Sequence, residues 1–260
     1  KKLLPHRLRI LLYKIPLVGR VVSEIVGRLR CASCVVLEAE TPYLKGMKFA
    51  VTWAEAPVLE EEHEPDVTKV FGESMEAGDI VFDVGAHIGK YTLLAALKVG
   101  TNGRVVAFEP DRWNAKKLRR NIKINGMRNI LVKEAAVYNR NGFLYFIAKG
   151  GSDSKLSAHG GNRVRAITMD SFAKDTGLYP NVIKMDIEGA EGEALEGAKR
   201  ILENGVIIIC ELHNSEAAQK VFSILRNQNY RIELIGQQKK TVESVRDLTV
   251  PCHILAYAIK

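Results

Sequence analysis

Two short acidic stretches follow apolar runs and carry residue types that can exchange protons. Asp186 and Glu188 come directly after one such run, and Glu211 and His213 end another. In an extended segment alternate residues share a face, so Glu211 and His213 can point into the same cleft. Carboxylates and imidazoles that line a cleft can bind a hydroxyl group or accept its proton. The candidates for that chemistry are therefore Asp186, Glu188, Glu211 and His213.

These acids also have a structural interpretation. Asp186 precedes a predicted helix opened by Glu188 and Glu191, where negative charge near the helix N-terminus is stabilising. The four candidates supply oxygen ligands and an imidazole that a divalent metal ion can use. No spacing in the sequence requires a metal, so we predict none.

A glycine-containing turn lies between a predicted strand and a predicted helix. It reads Asp83-Val-Gly85-Ala86-His-Ile-Gly89. The glycines permit a tight turn and a close backbone approach to a ligand, and the helix N-terminus offers free N–H groups. The DxGxxxG spacing differs from the GxGxxG pattern of dinucleotide sites, and a purely structural turn stays open as an alternative.

A second acid strengthens the ligand interpretation of this turn. Glu109 ends the next predicted strand, 20 residues after Gly89. At the carboxyl edge of an open α/β sheet, an acid so placed can hydrogen-bond both hydroxyls of a ribose. The turn and the acid together indicate a ligand that contains a nucleoside.

The elements that must position these residues alternate between strand and helix from residue 79 onward. Such alternation predicts βαβ units and a mainly parallel sheet covered on both faces. The last two strands have no helix between them, so the final strand should run antiparallel. The sequence also predicts a hairpin over 35–53, a helix within 58–71 limited by Pro65, and a surface loop over 149–162. The predicted strands are 80–84, 105–108, 130–132, 182–185, 206–210, 231–235 and 253–259, and the predicted helices are 89–98, 111–125, 168–175, 190–203 and 215–228.

The net charge of +8 belongs to one end of the chain. Residues 1–30 contain eight Lys and Arg against one acid, so the remainder is close to neutral. Apolar residues recur at helical spacing over 4–29, with basic residues on much of the other face. This segment is either a helical cap packed on its own domain or a contact with an anionic membrane surface.

Other classes of protein fit the sequence poorly. Charges interrupt every apolar run long enough for a membrane span or a secretory signal. Four cysteines do not make a disulfide scaffold, and the lone pair Cys31 and Cys34 lacks the partners of a zinc site. We therefore expect a cytoplasmic α/β protein, with peripheral membrane contact through residues 1–30 left open.

Four motifs in order resemble the FkbM-type family of class I S-adenosylmethionine (SAM)-dependent methyltransferases. They are DVGAHIGKYTLLAA, VVAFEPDRWNAKKLRRNIKING, VIKMDIEGAEGEALEGA and IIICELH. The resemblance covers about residues 78–215. It implies a Rossmann-like fold with a seven-stranded sheet of order 3-2-1-4-5-7-6, strand 7 antiparallel. The SAM-binding domain would span 56–260, after a helical and hairpin extension over 1–55.

The resemblance also implies roles for individual residues, with SAM as cofactor. Residues of the glycine turn would line the methionine part of SAM, and Glu109, followed by Pro110, would hold the ribose. Residues after the third strand would contact the adenine. The implied set is Asp83, Gly85, Ala86, Gly89, Glu109, Pro110, Glu134, Ala135 and Ala136.

The expected reaction is O-methylation of a hydroxyl on a sugar, a glycolipid or another small molecule, with a carboxylate or His213 assisting proton removal. An RNA methyltransferase that uses the basic N-terminal segment for backbone binding is the alternative. Nucleic acid is less favoured because the near-neutral body lacks a basic stripe and the segment after strand four is acidic. A non-enzymatic scaffold at a membrane surface is a third interpretation.

Overall fold

The computed structural model describes most of the chain beyond the basic segment. The described residues are 34–39, 41–52, 55–56, 59, 64–147, 155–157, 162–236 and 240–259. The helical stripe predicted over 4–29 lies outside them, and so does Cys31. Within the described part of the chain, no helix combines the length and the apolar character needed to cross a membrane.

The first half of the described chain contains a hairpin followed by alternating helices and strands. Pro65 begins the first helix, as its fixed φ and missing N–H favour. The elements are β1 (Val35–Glu38), β2 (Lys48–Val51), α1 (Pro65–Glu73), β3 (Ile80–Val84), α2 (Lys90–Val99), β4 (Arg104–Phe108), α3 (Arg112–Ile124) and β5 (Ile130–Lys133).

The second half adds a small sheet and completes the large one. Gly197 separates two helices where the sequence predicts one over 190–203, and a Cβ there would lie 2.4 Å from the Tyr138 carbonyl oxygen. The elements are β6 (Ala136–Val137), β7 (Gly142–Ile147), β8 (Lys155–Ser157), β9 (Asn162–Ile167), α4 (Met169–Thr176), β10 (Val182–Met185), α5 (Glu191–Glu196), α6 (Lys199–Glu203), β11 (Ile207–Leu212), α7 (Ser215–Asn227), β12 (Tyr230–Leu234), β13 (Lys240–Thr241), a 3₁₀ turn (Val245–Asp247) and β14 (Cys252–Ala258).

The large sheet has the order β5-β4-β3-β10-β11-β14-β12-β13. Strands β5, β4, β3, β10 and β11 are parallel, and β14 is antiparallel to both β11 and β12. The implied order 3-2-1-4-5-7-6 is confirmed for the seven main strands. The strand count is corrected to eight, because the two-residue strand β13 pairs with β12 at the edge.

The sheet changes winding direction at β3. This strand pairs with β4 on one side and with β10 on the other, so the connections leave it in opposite directions. In open α/β sheets a crevice for ligands forms at such a switch point, beyond the carboxyl ends of the strands. The candidate residues of the sequence stand at these ends.

Both faces of the sheet are covered, as predicted. Phe82, Phe108 and Phe172 pack edge to face on one side, with ring centroids 5.1–5.6 Å apart. Helices α4 to α7 cover that face, while α1 to α3 and the hairpin cover the other, where Phe49 and Leu118 join one core. Burial of each large apolar side chain contributes roughly 1.5–3 kcal/mol.

Two asparagines of α3 fasten the hairpin to the body. The buried Asn121 accepts a hydrogen bond from the Ala50 N–H (2.7 Å) and donates to the Ile88 carbonyl (2.9 Å). Asn125 bonds both backbone groups of Lys48. Because Ile88 belongs to the glycine turn, Asn121 links the hairpin to the candidate site.

A four-stranded sheet of order β6-β9-β7-β8 lies between β5 and α4 in sequence. It corrects the loop predicted over 149–162, because Lys155–Ser157 forms a strand that pairs with β7. The other residues of that segment lie outside the described ones, except Asn162, which begins β9. Phe143 and Tyr145 of β7 are exposed, so this sheet lacks the buried apolar run that predicts a strand in the large sheet.

Replacing Asn121 with Ala should lower the free energy of unfolding by about 2–4 kcal/mol, because it leaves the Ala50 N–H and the Ile88 carbonyl unpaired in the interior. Asn227→Ala, at an exposed helix end, is the matched control and should change stability by less than about 0.5 kcal/mol. Urea denaturation measures both, and equal effects would contradict the linking role of Asn121.

Candidate active site

The turn after β3 touches the turn after β10. Gly85 has a φ of +91°, and a Cβ on it would lie 1.8 Å from the carbonyl oxygen of Asp186. The Asp186 N–H in turn donates to the Val84 carbonyl (2.9 Å). Only glycine fits at position 85, so the two strand ends are held in direct contact.

The remainder of the glycine turn is held by backbone hydrogen bonds and by α3. The N–H groups of Gly85 and Ala86 both donate to the Phe108 carbonyl at 3.0 Å. Gly89 has a φ of +100°, and a Cβ there would lie 2.4 Å from Cδ1 of Leu118. The turn is therefore a fixed surface at the start of α2.

Glu109 is buried beside this turn. Its Oε2 accepts from the His87 N–H (2.7 Å), and its Oε1 accepts from the Asp111 N–H (2.8 Å). Burial raises the pKa of Glu109 to about 8, and these two N–H groups partly oppose the rise. A carboxylate has about four acceptor positions, so Glu109 retains acceptor capacity for ribose hydroxyls. Pro110 follows it and is half-buried.

The other residues implied for the cofactor have different environments. Asp83 is buried and accepts a hydrogen bond from the Thr92 hydroxyl, and burial raises its pKa to about 6. Glu134 is exposed and pairs with Arg119. Ala135 and Ala136 are buried at the start of β6.

The four predicted proton-exchanging residues converge at the ends of β10 and β11. His213 Nε2 lies 3.5 Å from Asp186 Oδ1, 3.5 Å from Glu188 Oε2 and 3.6 Å from Glu211 Oε1. Glu188 has a φ of +57°, a backbone conformation that costs a non-glycine residue of the order of 1 kcal/mol. The surrounding turns hold that conformation, since the next residue, Gly189, donates its N–H to Glu191 (2.9 Å).

A buried carboxylate orients the histidine. Glu191 is fully buried, and its Oε1 lies 2.9 Å from His213 Nδ1. Burial disfavours the charged ring, but Glu191, Glu211 and Asp186 outweigh that cost and raise the pKa of His213 to about 9. Glu191 therefore orients His213, in addition to placing negative charge at the N-terminus of α5.

The cluster also contains two residues that the sequence pattern does not indicate, His253 and Glu64. His253 Nε2 lies 3.2 Å from Glu64 Oε1 and 3.3 Å from Glu211 Oε2. His253 is the cross-strand partner of Glu211 on the antiparallel β14, so a known register would have indicated it. Glu64 precedes α1 and accepts a hydrogen bond from the Tyr91 hydroxyl (2.7 Å), a contact that no local pattern signals.

A buried lysine faces the same acids. Lys184 of β10 is 1% exposed, and its Nζ lies 3.8 Å from Asp186 Oδ2 and 4.8 Å from the centre of the Tyr91 ring. Burial disfavours the charged form of Lys184, but the nearby carboxylates of Asp186 and Glu64 outweigh this effect and keep the pKa of Lys184 above its usual value. This fixed charge offsets part of the negative charge of the carboxylates.

Comparison with known proteins identifies the family. Residues 83–232, more than half of the chain, match the family described as methyltransferase FkbM domain. The chain belongs to the FkbM methyltransferase family. The resemblance seen in the motifs is thereby confirmed, and this member of the family is a SAM-dependent methyltransferase.

Individual relatives agree with this assignment. The chain is 27% identical over 176 residues to the hexuronic acid methyltransferase AglP of Haloferax volcanii, covering 66% of this chain and 71% of AglP. Among solved structures, precorrin-6y C5,15-methyltransferase from Geobacter metallireducens aligns with a TM-score of 0.50 at 16% identity, covering 80% of this chain and 92% of that one. TYW2 of M. jannaschii, in complex with AdoMet, aligns at 0.50 and 14%, covering 87% and 85%. At these identities the two structures show a shared fold.

Replacing Gly85 with Ala should destabilise the fold by more than about 4 kcal/mol, because the new Cβ adds a clash with the Asp186 carbonyl to the strain of a positive φ. Gly78→Ala is the matched control, since Gly78 has a φ of +94° and a Cβ on it would meet no other part of the protein within 4 Å. It should cost only about 1–2 kcal/mol. Equal thermal stability of the two variants would contradict the contact between the strand ends.

The pKa of Glu109 makes stability depend on pH. The unfolded chain releases this proton near pH 4.5, whereas the folded chain keeps it until about pH 8. The wild type should therefore lose stability relative to Glu109→Gln as the pH rises from 4.5 to 8, by up to the order of 5 kcal/mol. Urea denaturation at several pH values measures this difference, and a constant difference would contradict the raised pKa.

Proposed function

We propose that this chain transfers a methyl group from SAM to a hydroxyl of a sugar or glycan. The observation that carries the proposal is the carboxylate and histidine cluster at the ends of β10 and β11, directly beside the glycine turn after β3. Methyl transfer to an alcohol needs a positioned hydroxyl and a group that accepts its proton. The cluster supplies both kinds of group within one cleft.

The cofactor end of the proposed site consists of the glycine turn and Glu109. Asp83, Gly85, Ala86 and Gly89 would line the methionine part of SAM, and Glu109 would accept hydrogen bonds from the ribose hydroxyls. The acceptor capacity of Glu109 and the close backbone approach at Gly85 fit such a ligand. When bound, SAM supplies a methyl group that its sulfonium has already activated. The segment after β5, with Pro110 beside it, would close the adenine end through Glu134, Ala135 and Ala136.

The acceptor end of the proposed site would position the hydroxyl group and accept its proton. Asp186 follows β10, and its backbone touches the glycine turn, which ties this acid directly to the proposed cofactor loop. We assign Asp186 to binding the hydroxyl and accepting its proton. Glu188, Glu211 and His213 surround it and would bind neighbouring hydroxyls of the acceptor.

The chemistry of the cluster favours a sugar over a nucleic acid. Several carboxylates and two imidazoles suit an acceptor that presents several hydroxyls, because each of these side chains can form a hydrogen bond with one hydroxyl of the acceptor. The carboxylates of Glu64, Asp186, Glu188 and Glu211 would repel a phosphate backbone. The hexuronic acid methyltransferase AglP, 27% identical over the aligned residues, supports a sugar acceptor.

The proposal is tested by following label from methyl-labelled SAM into fractions of cell extract that contain glycans, lipids, RNA or protein. We expect label in the glycan or glycolipid fraction, on oxygen, as linkage analysis by mass spectrometry would show. Asp186→Ala serves as the inactive control. Label that enters only RNA would favour the alternative reaction and overturn the proposal.

Asp186→Asn keeps the shape of the side chain but removes its ability to accept a proton. The variant should lower kcat by about 10²–10⁴-fold while leaving the Kd for SAM unchanged. Glu203→Gln, at the exposed end of α6, is the control and should keep wild-type kcat. Steady-state kinetics with calorimetric SAM binding measures both, and an unchanged kcat in Asp186→Asn would refute its assignment.

Glu109→Gln should act on the opposite end of the site. It replaces a carboxyl oxygen that can accept from a ribose hydroxyl with an amide nitrogen that cannot, and a lost hydrogen bond of this kind costs about 1–3 kcal/mol, so the Kd for SAM should rise by about 10–100-fold. The KM for the acceptor should stay within about twofold of wild type. A SAM affinity equal to that of wild type would show that Glu109 does not hold the ribose.

A further inference from the structure

Three carboxylate oxygens surround a single ring nitrogen at nearly equal distances. They belong to Asp186, Glu188 and Glu211, and they lie 3.5, 3.5 and 3.6 Å from His213 Nε2. A hydrogen bond from N–H to oxygen measures about 2.7–3.2 Å. The three separations are therefore longer than hydrogen bonds.

The spacing of these atoms matches that of ligands around one cation. Bonds from zinc to histidine nitrogen and carboxylate oxygen are about 2.0–2.2 Å long, so neighbouring ligands of a tetrahedral or octahedral ion lie about 3.0–3.5 Å apart. The ligand atoms that Asp186, Glu211 and His213 offer all lie within 4.8 Å of one another. The distances from the ring nitrogen are close to the expected separation.

An independent contact prepares the histidine as a ligand. The fully buried Glu191 lies 2.9 Å from His213 Nδ1, which leaves Nε2 facing the carboxylates as the nitrogen that a cation would bind. Glu191 is itself fixed by the Gly189 N–H. A buried carboxylate on the far nitrogen is the usual way in which proteins orient a metal-binding histidine.

The neighbouring groups hold the carboxylates in place as well. Lys184 lies beside Oδ2 of Asp186, whereas Oδ1 faces His213. His253 lies beside Oε2 of Glu211, whereas Oε1 faces His213. Each acid therefore has one oxygen directed to the common centre. A divalent cation at Nε2 of His213 would take the place of the proton that the raised pKa keeps on the ring, and the same carboxylates would hold it.

We propose that Asp186, Glu211 and His213 bind a divalent transition-metal cation, with Glu188 in reach as a fourth ligand. The mixture of carboxylate oxygen and imidazole nitrogen suits Mn²⁺, Fe²⁺ or Zn²⁺ better than Ca²⁺ or Mg²⁺. Residue spacing alone predicts no metal here, because the ligands come from two strand ends. A cation at this position would bind the acceptor hydroxyl and favour transfer of its proton to Asp186 Oδ2, the oxygen that does not face His213. That role rests on the proposed function, whereas the binding of the cation does not.

Electron paramagnetic resonance with Mn²⁺ as the probe tests the site on the full chain after chelator treatment. Free Mn²⁺ gives a six-line signal that weakens on binding, so a titration yields stoichiometry and Kd. We expect about one tightly bound Mn²⁺ per chain, weakened by about 10-fold or more in Glu211→Gln and in His213→Gln. Glu203→Gln should bind as wild type does, and retained binding of S-adenosylhomocysteine shows that each variant is folded.

The outcomes separate this proposal from the proposed function. Absence of Mn²⁺ binding by the wild type, or equal binding by a folded Glu211→Gln variant, would overturn the metal site. Mn²⁺ binding that depends on Glu211 and His213 would uphold the site even if no sugar accepted label. Glycan methylation that persists in full after chelation would uphold the proposed function and remove the role of the cation in transfer.

Discussion

The contact between Gly85 and the Asp186 carbonyl sets the distance between the two halves of the site. A Cβ at position 85 would lie 1.8 Å from that oxygen, so the turn after β3 and the turn after β10 meet without an intervening side chain. The two strands are parallel neighbours at the switch point of the sheet. The glycine turn and the acidic cluster are therefore joined by backbone, which holds them more rigidly than side-chain contacts would.

Charge balance is the second constraint on the cleft. Burying one carboxylate without a partner is costly, and this site gathers several. The buried Lys184 faces Asp186, and His253 lies between Glu64 and Glu211, so part of the negative charge has a cationic partner. These cations come from β10 and β14, and the acid Glu64 precedes α1, so the chemistry of the cleft depends on the packing of several elements.

Much of this arrangement follows from local sequence. Alternation of apolar runs with helical patterns predicts the parallel sheet, and the position of Asp186, Glu211 and His213 after buried strands predicts their convergence. The contribution of His253 depends on the register between β14 and β11, and that of Glu64 on a tertiary contact, so no local pattern shows either. The small sheet is not predicted because β6 and β8 have only two and three residues and β7 exposes Phe143 and Tyr145. Strand β13 is not predicted because it has only two residues.

We infer that the turns after β3, β4 and β10 form one ligand site. Hydrogen–deuterium exchange with and without S-adenosylhomocysteine measures this, since backbone amides at a bound ligand exchange more slowly. We expect slower exchange in 85–89, in 109–111 and in 186–190, with no change in the small sheet. Slower exchange confined to other segments, or an unchanged rate in 186–190, would contradict it.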